Sequence, residues 1–264
     1  MPLLVWIVLL TALGGVLSAL AASVFLLASE TVRVRVLPHL VSFATGALLA
    51  AALLGLLPHA IEGAGPANAH WIGVTLLIGL LTFFVLEKLV LWRHCHQELC
   101  EGHLPHDADA HLHAREAASA SLILIGDGFH NLLDGVLIAA AFMTDVHLGI
   151  VTALAVMAHE IPQEVGDLAL LLHGGMSRGR ALMLNLLTSL TSVVGGVVAY
   201  TALGESLQAL PYAIALAAAS FLYIAVADLI PGLHRRVDPG SGAKQLLFIV
   251  VGVAVIYVSH QLAH

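Results

Sequence analysis

The sequence predicts an all-α integral membrane protein with eight transmembrane helices, and three observations predict it. First, 59% of the 264 residues are hydrophobic and only 10% are charged, against about 25% charged in soluble domains. Second, apolar runs of about 20 residues, the length that spans a bilayer, recur along the whole chain. Third, the 10 Lys and Arg residues sit in or beside alternate loops only, a pattern that one miscounted span would break. The runs are too long for membrane strands and show no period of two.

Taken in order, the first run covers 3–28. LSALAAS within it looks like a cleavage site, but no Lys or Arg precedes Arg33, so the positive start of a signal peptide is missing. The second run, 37–60, ends in LLPHAIE. This puts His59 and Glu62 at the outer end as a candidate entrance, with a membrane-interface His as the plainer reading. The third covers 70–92. Residues 93–117 then form the single long polar stretch, RHCHQELCEGHLPHDADAHLHAREA, with six of the 16 His and both Cys. His94, His96, His103, His106, His111 and His113 with Cys95 and Cys100 suit weak metal capture. Their spacing does not match a zinc finger.

The fourth and fifth runs, 118–142 and 147–172, carry the ionisable groups discussed below. The sixth, 180–203, is clean apart from Asn185, and the seventh, 209–231, holds Asp228. Each of these two polar residues either lines a pathway or ties helices together. The eighth covers 244–262. With eight spans, all basic residues fall at loops 1–2, 3–4, 5–6 and 7–8. The positive-inside rule places those loops, and so the His-rich 93–117 loop, in the cytoplasm and both termini outside. The expected location is the plasma or inner membrane. No basic patch with interleaved aromatics occurs, so nucleic acid is not an expected partner.

Ionisable residues within a span are costly and mark a pathway or site by default. In LILIGDGFHNLLDGVLIAAAF, Asp127, His130, Asn131 and Asp134 form one polar stripe at helical spacing. In AHEIPQEVGD, His159, Glu160, Gln163, Glu164 and Asp167 form a second. A few residues join the two helices, so they are antiparallel neighbours whose stripes can face each other. Isolated buried charges would neutralise; a divalent cation between carboxylates and imidazoles removes much of that cost. His130 and Asp134 at i, i+4 can hold one ion, and His159 with Gln163 can do so from the other helix. Asn131 and Glu160 sit one residue further round and point to a neighbouring site, and Glu164 can serve either. Imidazole and carboxylate without thiolate suit Zn²⁺, with Fe²⁺, Cd²⁺ or Mn²⁺ as alternative cargoes. Pro162 removes one backbone bond and frees a carbonyl near residue 158. A hydrogen-bond network that only joins helices is the plainer alternative, but two His, five acids and two amides are many for that role.

GDGFHNLLDG followed by AHEIPQEVGD resembles the ZIP (Zrt/Irt-like) family of metal transporters, most closely its LIV-1 branch. That branch pairs HNxxDG in span 4 with HExPHExGD in span 5. SFLYIAVADLIPGLH in span 7 is similar to the family's FLYIALxDxxPEL. The resemblance covers essentially the whole chain, as a single transmembrane domain over 1–264. It implies a transport site on His130, Asp134 and His159, with Asn131 and Glu160 at an adjacent second site. It also implies two inverted three-helix repeats around central helices 4 and 5. Two positions depart from the pattern: Gln163 replaces the branch's second His, and Gly232 replaces a Glu.

The expected function is divalent metal transport, most simply zinc uptake toward the cytoplasm. The expected partners are the metal ion and the lipid bilayer, with a homodimer as the candidate assembly. An intramembrane zinc hydrolase is the rival class, since HEIPQ begins like HExxH, but Gln163 stands where the second His is needed. A metal sensor without flux is the other rival.

Overall fold

A computed structural model describes residues 2–95, 108–173, 175–204, 207–234 and 241–261. Among the described residues the architecture is all helical. We number eight helical elements in chain order: α1 (Leu3–Leu27), α2 (Glu30–Ala64), α3 (Ala69–Cys95), α4 (Ala108–Thr144), α5 (Val146–His173), α6 (Arg178–Gly204), α7 (Leu210–His234) and α8 (Ser241–Gln261). Seven of them are long and apolar enough to cross a membrane. The exception is α5. At 28 residues it is long enough, but His147, His159, Glu160, Gln163, Glu164 and Asp167 lower its hydropathy. Length and composition therefore support seven crossings; the expected count of eight rests on α5 alone.

Helix ends differ from the apolar runs. α2 begins at Glu30, seven residues before its predicted start at 37, and carries Arg33 and Arg35 on the helix. α4 begins at Ala108, so residues 108–117 of the expected 93–117 loop are helical. ADAHLHAREAASA is rich in Ala and other good helix formers, and it extends a helix already nucleated by the apolar segment. Residues 93–95 belong to α3. The rest of the His-rich stretch, 96–107, lies outside the described residues, and with it His96, Cys100, His103 and His106.

α2 and α7 share an irregularity. Ala51–Leu56 of α2 and Ile224–Leu229 of α7 are π-helical, and in each a proline, Pro58 or Pro231, follows as the second residue after the π-turn. Proline lacks an N–H and its ring crowds the carbonyl four residues back. A π-turn widens the helix at that point and relieves the clash. Pro38 and Pro162, by contrast, lie inside α-helix that continues past them. The helix runs through Pro162, which has no N–H to offer the carbonyl near residue 158.

Packing relates the first three helices to the last three. α2 packs on α8 and α7 on α3; α1 packs on α5 and α6 on α4; α2 also meets α7, and α4 meets α5. Exchanging helices 1, 2, 3 and 4 with 6, 7, 8 and 5 maps this set of neighbours onto itself. The closest approaches use glycine. A Cβ on Gly135 of α4 would overlap the Ser192 carbonyl of α6, and one on Gly195 would overlap that of Leu132. Gly46 of α2 and Gly252 of α8 meet in the same way. Without a hydrophobic drive between helices in lipid, such backbone contact supplies the packing attraction. Leucines and valines such as Leu17, Val24, Leu77 and Val198 are left facing outward, as a bilayer requires.

Candidate metal centre

The centre is built on the α4–α5 hairpin. A single residue, Asp145, separates Thr144 from Val146, so the two helices run antiparallel and adjacent. Asp145 Oδ1 accepts hydrogen bonds from the backbone N–H of His147 at 2.8 Å and of Leu148 at 3.0 Å, capping α5. Partial burial alone would raise this carboxyl. The two amides and the neighbouring imidazoles of His147 and His59 override that and hold it below the usual carboxylate range.

Deeper in the molecule, α4 presents His130 and Asp134 one turn apart, and α5 presents His159 and Glu160. One ligand atom from each lies within 4.8 Å of all the others. His130 Nε2 stands 3.2 Å from His159 Nε2, 3.4 Å from Glu160 Oε1 and 3.7 Å from Asp134 Oδ2. His159 Nε2 stands 3.2 Å from Asp134 Oδ2 and 3.8 Å from Glu160 Oε1. Ligands of a tetrahedral Zn²⁺, bound at about 2.0–2.1 Å, lie roughly 3.3 Å from one another. The group has that size.

Its electrostatics call for a cation. His159 Nδ1 lies 3.2 Å from the Ala155 carbonyl. Donating there leaves Nε2 with a bare lone pair toward the centre. Both oxygens of Asp134 and both of Glu160 are buried without a hydrogen-bond partner. The 3.2 Å between His159 Nε2 and Asp134 Oδ2 is thus an approach of two acceptors. His159, Glu160 and Asp134 are 1–2% exposed, so water does not screen them. Two buried, unpaired carboxylates would cost several kcal/mol each; a divalent ion among the four atoms removes that cost. Phe221 of α7 stands edge-on to His159, with ring centroids 6.1 Å apart, and adds an apolar wall.

One expected residue changes place. Glu160 was expected beside the transport site with Asn131, yet it joins His130, Asp134 and His159. A glutamate side chain is long enough to swing back across the one-residue offset. Asn131 turns to its own helix and donates from Nδ2 to Asp127 Oδ1 at 2.8 Å. Glu164 takes a structural set of partners: Ser189 Oγ donates to its Oε1 at 2.7 Å, and Asn185 Nδ2 donates to its Oε2. This joins α5 to α6, so Asn185 ties helices together. Ser189 escaped the sequence reading; Asn185, Thr188 and Ser189 at i, i+3, i+4 were the available signal. Glu160 is within electrostatic reach of both Asp127 and Glu164, so a second group of polar side chains adjoins the first.

The outlying candidates scatter. Gln163 is half-buried on α5, one turn beyond His159. His59 is half-buried, its Nδ1 2.9 Å from the Gly55 carbonyl, and Glu62 is exposed. Asp167 is half-buried on α5. Asp228 falls within the π-turn of α7.

Comparison with known proteins follows this geometry. A family model described as "ZIP Zinc transporter" matches residues 3–260. "Zinc transporter ZIP4" of Homo sapiens is 31% identical over 275 residues, covering 84% of this chain and 42% of that protein. "Zinc transporter ZIP13" of Pongo abelii is 31% identical over 232 residues, covering 83% of this chain and 66% of its own length. "Zinc transporter zipt-7.1" of Caenorhabditis briggsae is 29% identical over 313 residues, covering 96% and 79%. The chain thus spans less than half of the first of these relatives and about two thirds of the second.

Proposed function

Since the chain belongs to the ZIP family of zinc transporters, we propose that it carries Zn²⁺ across a membrane toward the cytoplasm through a site on His130, Asp134, His159 and Glu160. The observation that carries this reading is the set of four ligand atoms within 4.8 Å of one another, three of them on buried residues, in which the carboxylate oxygens of Asp134 and Glu160 find no hydrogen-bond partner. Asn131, Glu164 and Asp127 form the adjoining second group, sharing Glu160, and Gln163 supplies a neutral ligand one turn on. In this reading the path begins near His59 and Glu62, passes the centre beside Asn185 and Asp228, and leaves past Asp167. The residues 1–264 act as one transmembrane domain. The polar helix α5 makes the eighth crossing, shielded by its neighbours. Basic residues at alternate loops support cytoplasmic placement of 93–117, with both termini outside and the plasma or inner membrane as location. A homodimer is the assembly we favour, and Fe²⁺, Cd²⁺ and Mn²⁺ are the other cargoes the donor set would accept.

Transport fits better than hydrolysis. A zinc hydrolase needs Glu160 free as a general base beside a bound water, but its Oε1 lies among the ligand atoms, 3.4 Å from His130 Nε2. The deciding experiment is Zn²⁺ uptake into proteoliposomes carrying the purified chain. Uptake by wild type that is lost in His130→Ala and His159→Ala supports the reading. Zinc binding without uptake would leave a sensor in its place.

A further inference from the structure

Away from the metal centre, a cavity of about 580 Å³ opens between α1, the start of α2, the end of α5 and the start of α6. Its lining is of two kinds. Leu20 and Val24 of α1, Leu172 of α5 and Leu182 of α6 are apolar, and Arg33 and Arg178 bring positive charge. Leu20 and Val24 are 45% and 67% exposed, so the apolar lining runs out onto the outer surface of the helix bundle. Arg33 Nε is buried and donates to nothing. Neither guanidinium is paired with a carboxylate among the described residues. The capping residues Ser29 of α2 and Ser177 of α6 make no side-chain cap bond, so the first-turn amides of both helices add positive potential at the same end.

We infer that this trough binds one anionic phospholipid of the adjoining leaflet, with its phosphodiester between Arg33 and Arg178 and an acyl chain along Leu20, Val24, Leu172 and Leu182. A guanidinium fork matches phosphate oxygens in charge and shape. Basic pockets between helices at the cytoplasmic side of a membrane suit such head groups. A free phosphate would use the arginines alone and leave the apolar wall facing water. The volume is of ligand size and holds a head group with the upper part of one chain. The inference goes beyond the transport reading and does not depend on it, because no residue of the trough belongs to the metal centre.

The test uses the full chain in neutral detergent and counts bound lipid by native mass spectrometry. Phosphatidylglycerol, phosphatidylcholine and inorganic phosphate are the probes. Both lipids carry the phosphodiester, but phosphatidylcholine also brings a choline cation toward the two guanidiniums, so phosphatidylglycerol should be favoured by about tenfold or more. The double variant Arg33→Gln, Arg178→Gln should lose that preference, and Arg33→Lys, Arg178→Lys should keep part of it. Millimolar inorganic phosphate should not displace the lipid. Equal binding of the two lipids by wild type would overturn the inference without any variant. So would an undiminished preference in the Gln pair, or displacement by phosphate, which would mean a site for soluble anions. If the Gln pair does not fold, the wild-type comparison and the Lys pair decide.

Discussion

At the scale of single residues, His159 is the side chain on which the metal centre turns. Its Nδ1 is engaged with its own helix, so Nε2 is committed to the centre. Changing only the groups that hydrogen-bond to a ligand lowers metal affinity about 10–100-fold. His159→Ala removes a ligand outright and should weaken Zn²⁺ binding by more than roughly a hundredfold on that scale, as read by titration calorimetry, with uptake abolished. Near-normal affinity would remove His159 from the ligand set. Gln163→His tests the family departure: an added imidazole should tighten Zn²⁺ binding and slow release. Unchanged Zn²⁺ affinity together with an unchanged Zn²⁺/Cd²⁺ preference would mean that position 163 does not touch the ion. His130 and Asp134 were legible because i, i+4 spacing aligns them on one helix, whereas the family resemblance, not spacing, added His159 to them. Glu160 and Asn131 were not legible, because spacing treats a side chain as a direction, while a long Glu reaches sideways and a short Asn bonds to its own helix.

At the scale of elements, apolar runs locate the part of a helix inside lipid and say nothing of where the helix ends. This is why all eight helices were legible but α2 and α4 begin earlier than expected. The π-turns of α2 and α7 were not legible; only Pro58 and Pro231 hinted at them. Gly135 offers a direct test of helix packing. Gly135→Val would push a branched side chain into the Ser192 carbonyl. Overpacking typically costs about 1–3 kcal/mol, and backbone contact leaves little room to yield. The melting temperature of the full chain should fall by several degrees; no change would mean that α4 and α6 are farther apart than described. Asp145 gives the pH prediction. Its carboxyl titrates lower in the folded chain than the ~3.9 of an unfolded Asp. Its stabilisation is therefore present above about pH 4 and is lost as pH falls through the lower, folded value. Asp145→Ala should cost about 1 kcal/mol at pH 7 and progressively less in acid. The same destabilisation at pH 7 and pH 3 would show that the carboxylate charge plays no part in the cap.

At the scale of the whole molecule, the exchange of helices 1, 2, 3 and 4 with 6, 7, 8 and 5 places the α4–α5 hairpin at the middle of the assembly. Its polar groups are thereby covered by other helices and not by lipid. This is how α5 can cross a bilayer despite a composition that excludes it on hydropathy alone. No residue of the His-rich 93–117 segment is among the four ligand residues of that centre. Replacing His94, Cys95, His96, Cys100, His103, His106, His111 and His113 by Ser should leave single-turnover Zn²⁺ uptake in liposomes intact, while the isolated 93–117 peptide should bind metal weakly. Complete loss of uptake by a folded variant would put the segment on the path.

The pair of carboxylates at the centre has a consequence for how the protein would respond to voltage. When both Asp134 and Glu160 are ionised they contribute two negative charges, and with neutral imidazoles a bound divalent ion brings the sum to zero. A membrane potential does no work on a group of zero net charge, whereas each uncompensated charge crossing the full field couples at about 2.3 kcal/mol per 100 mV. In a carrier whose loaded site moves across as a unit, that movement should therefore be indifferent to potential. The ionised empty site would feel the field at double charge, so its return is the step that a potential can favour or resist. Initial Zn²⁺ uptake into liposomes held at diffusion potentials of opposite sign should start at the same rate and diverge only over later turnovers. A first turnover that depends steeply on the sign would mean that the ion travels with charge still exposed.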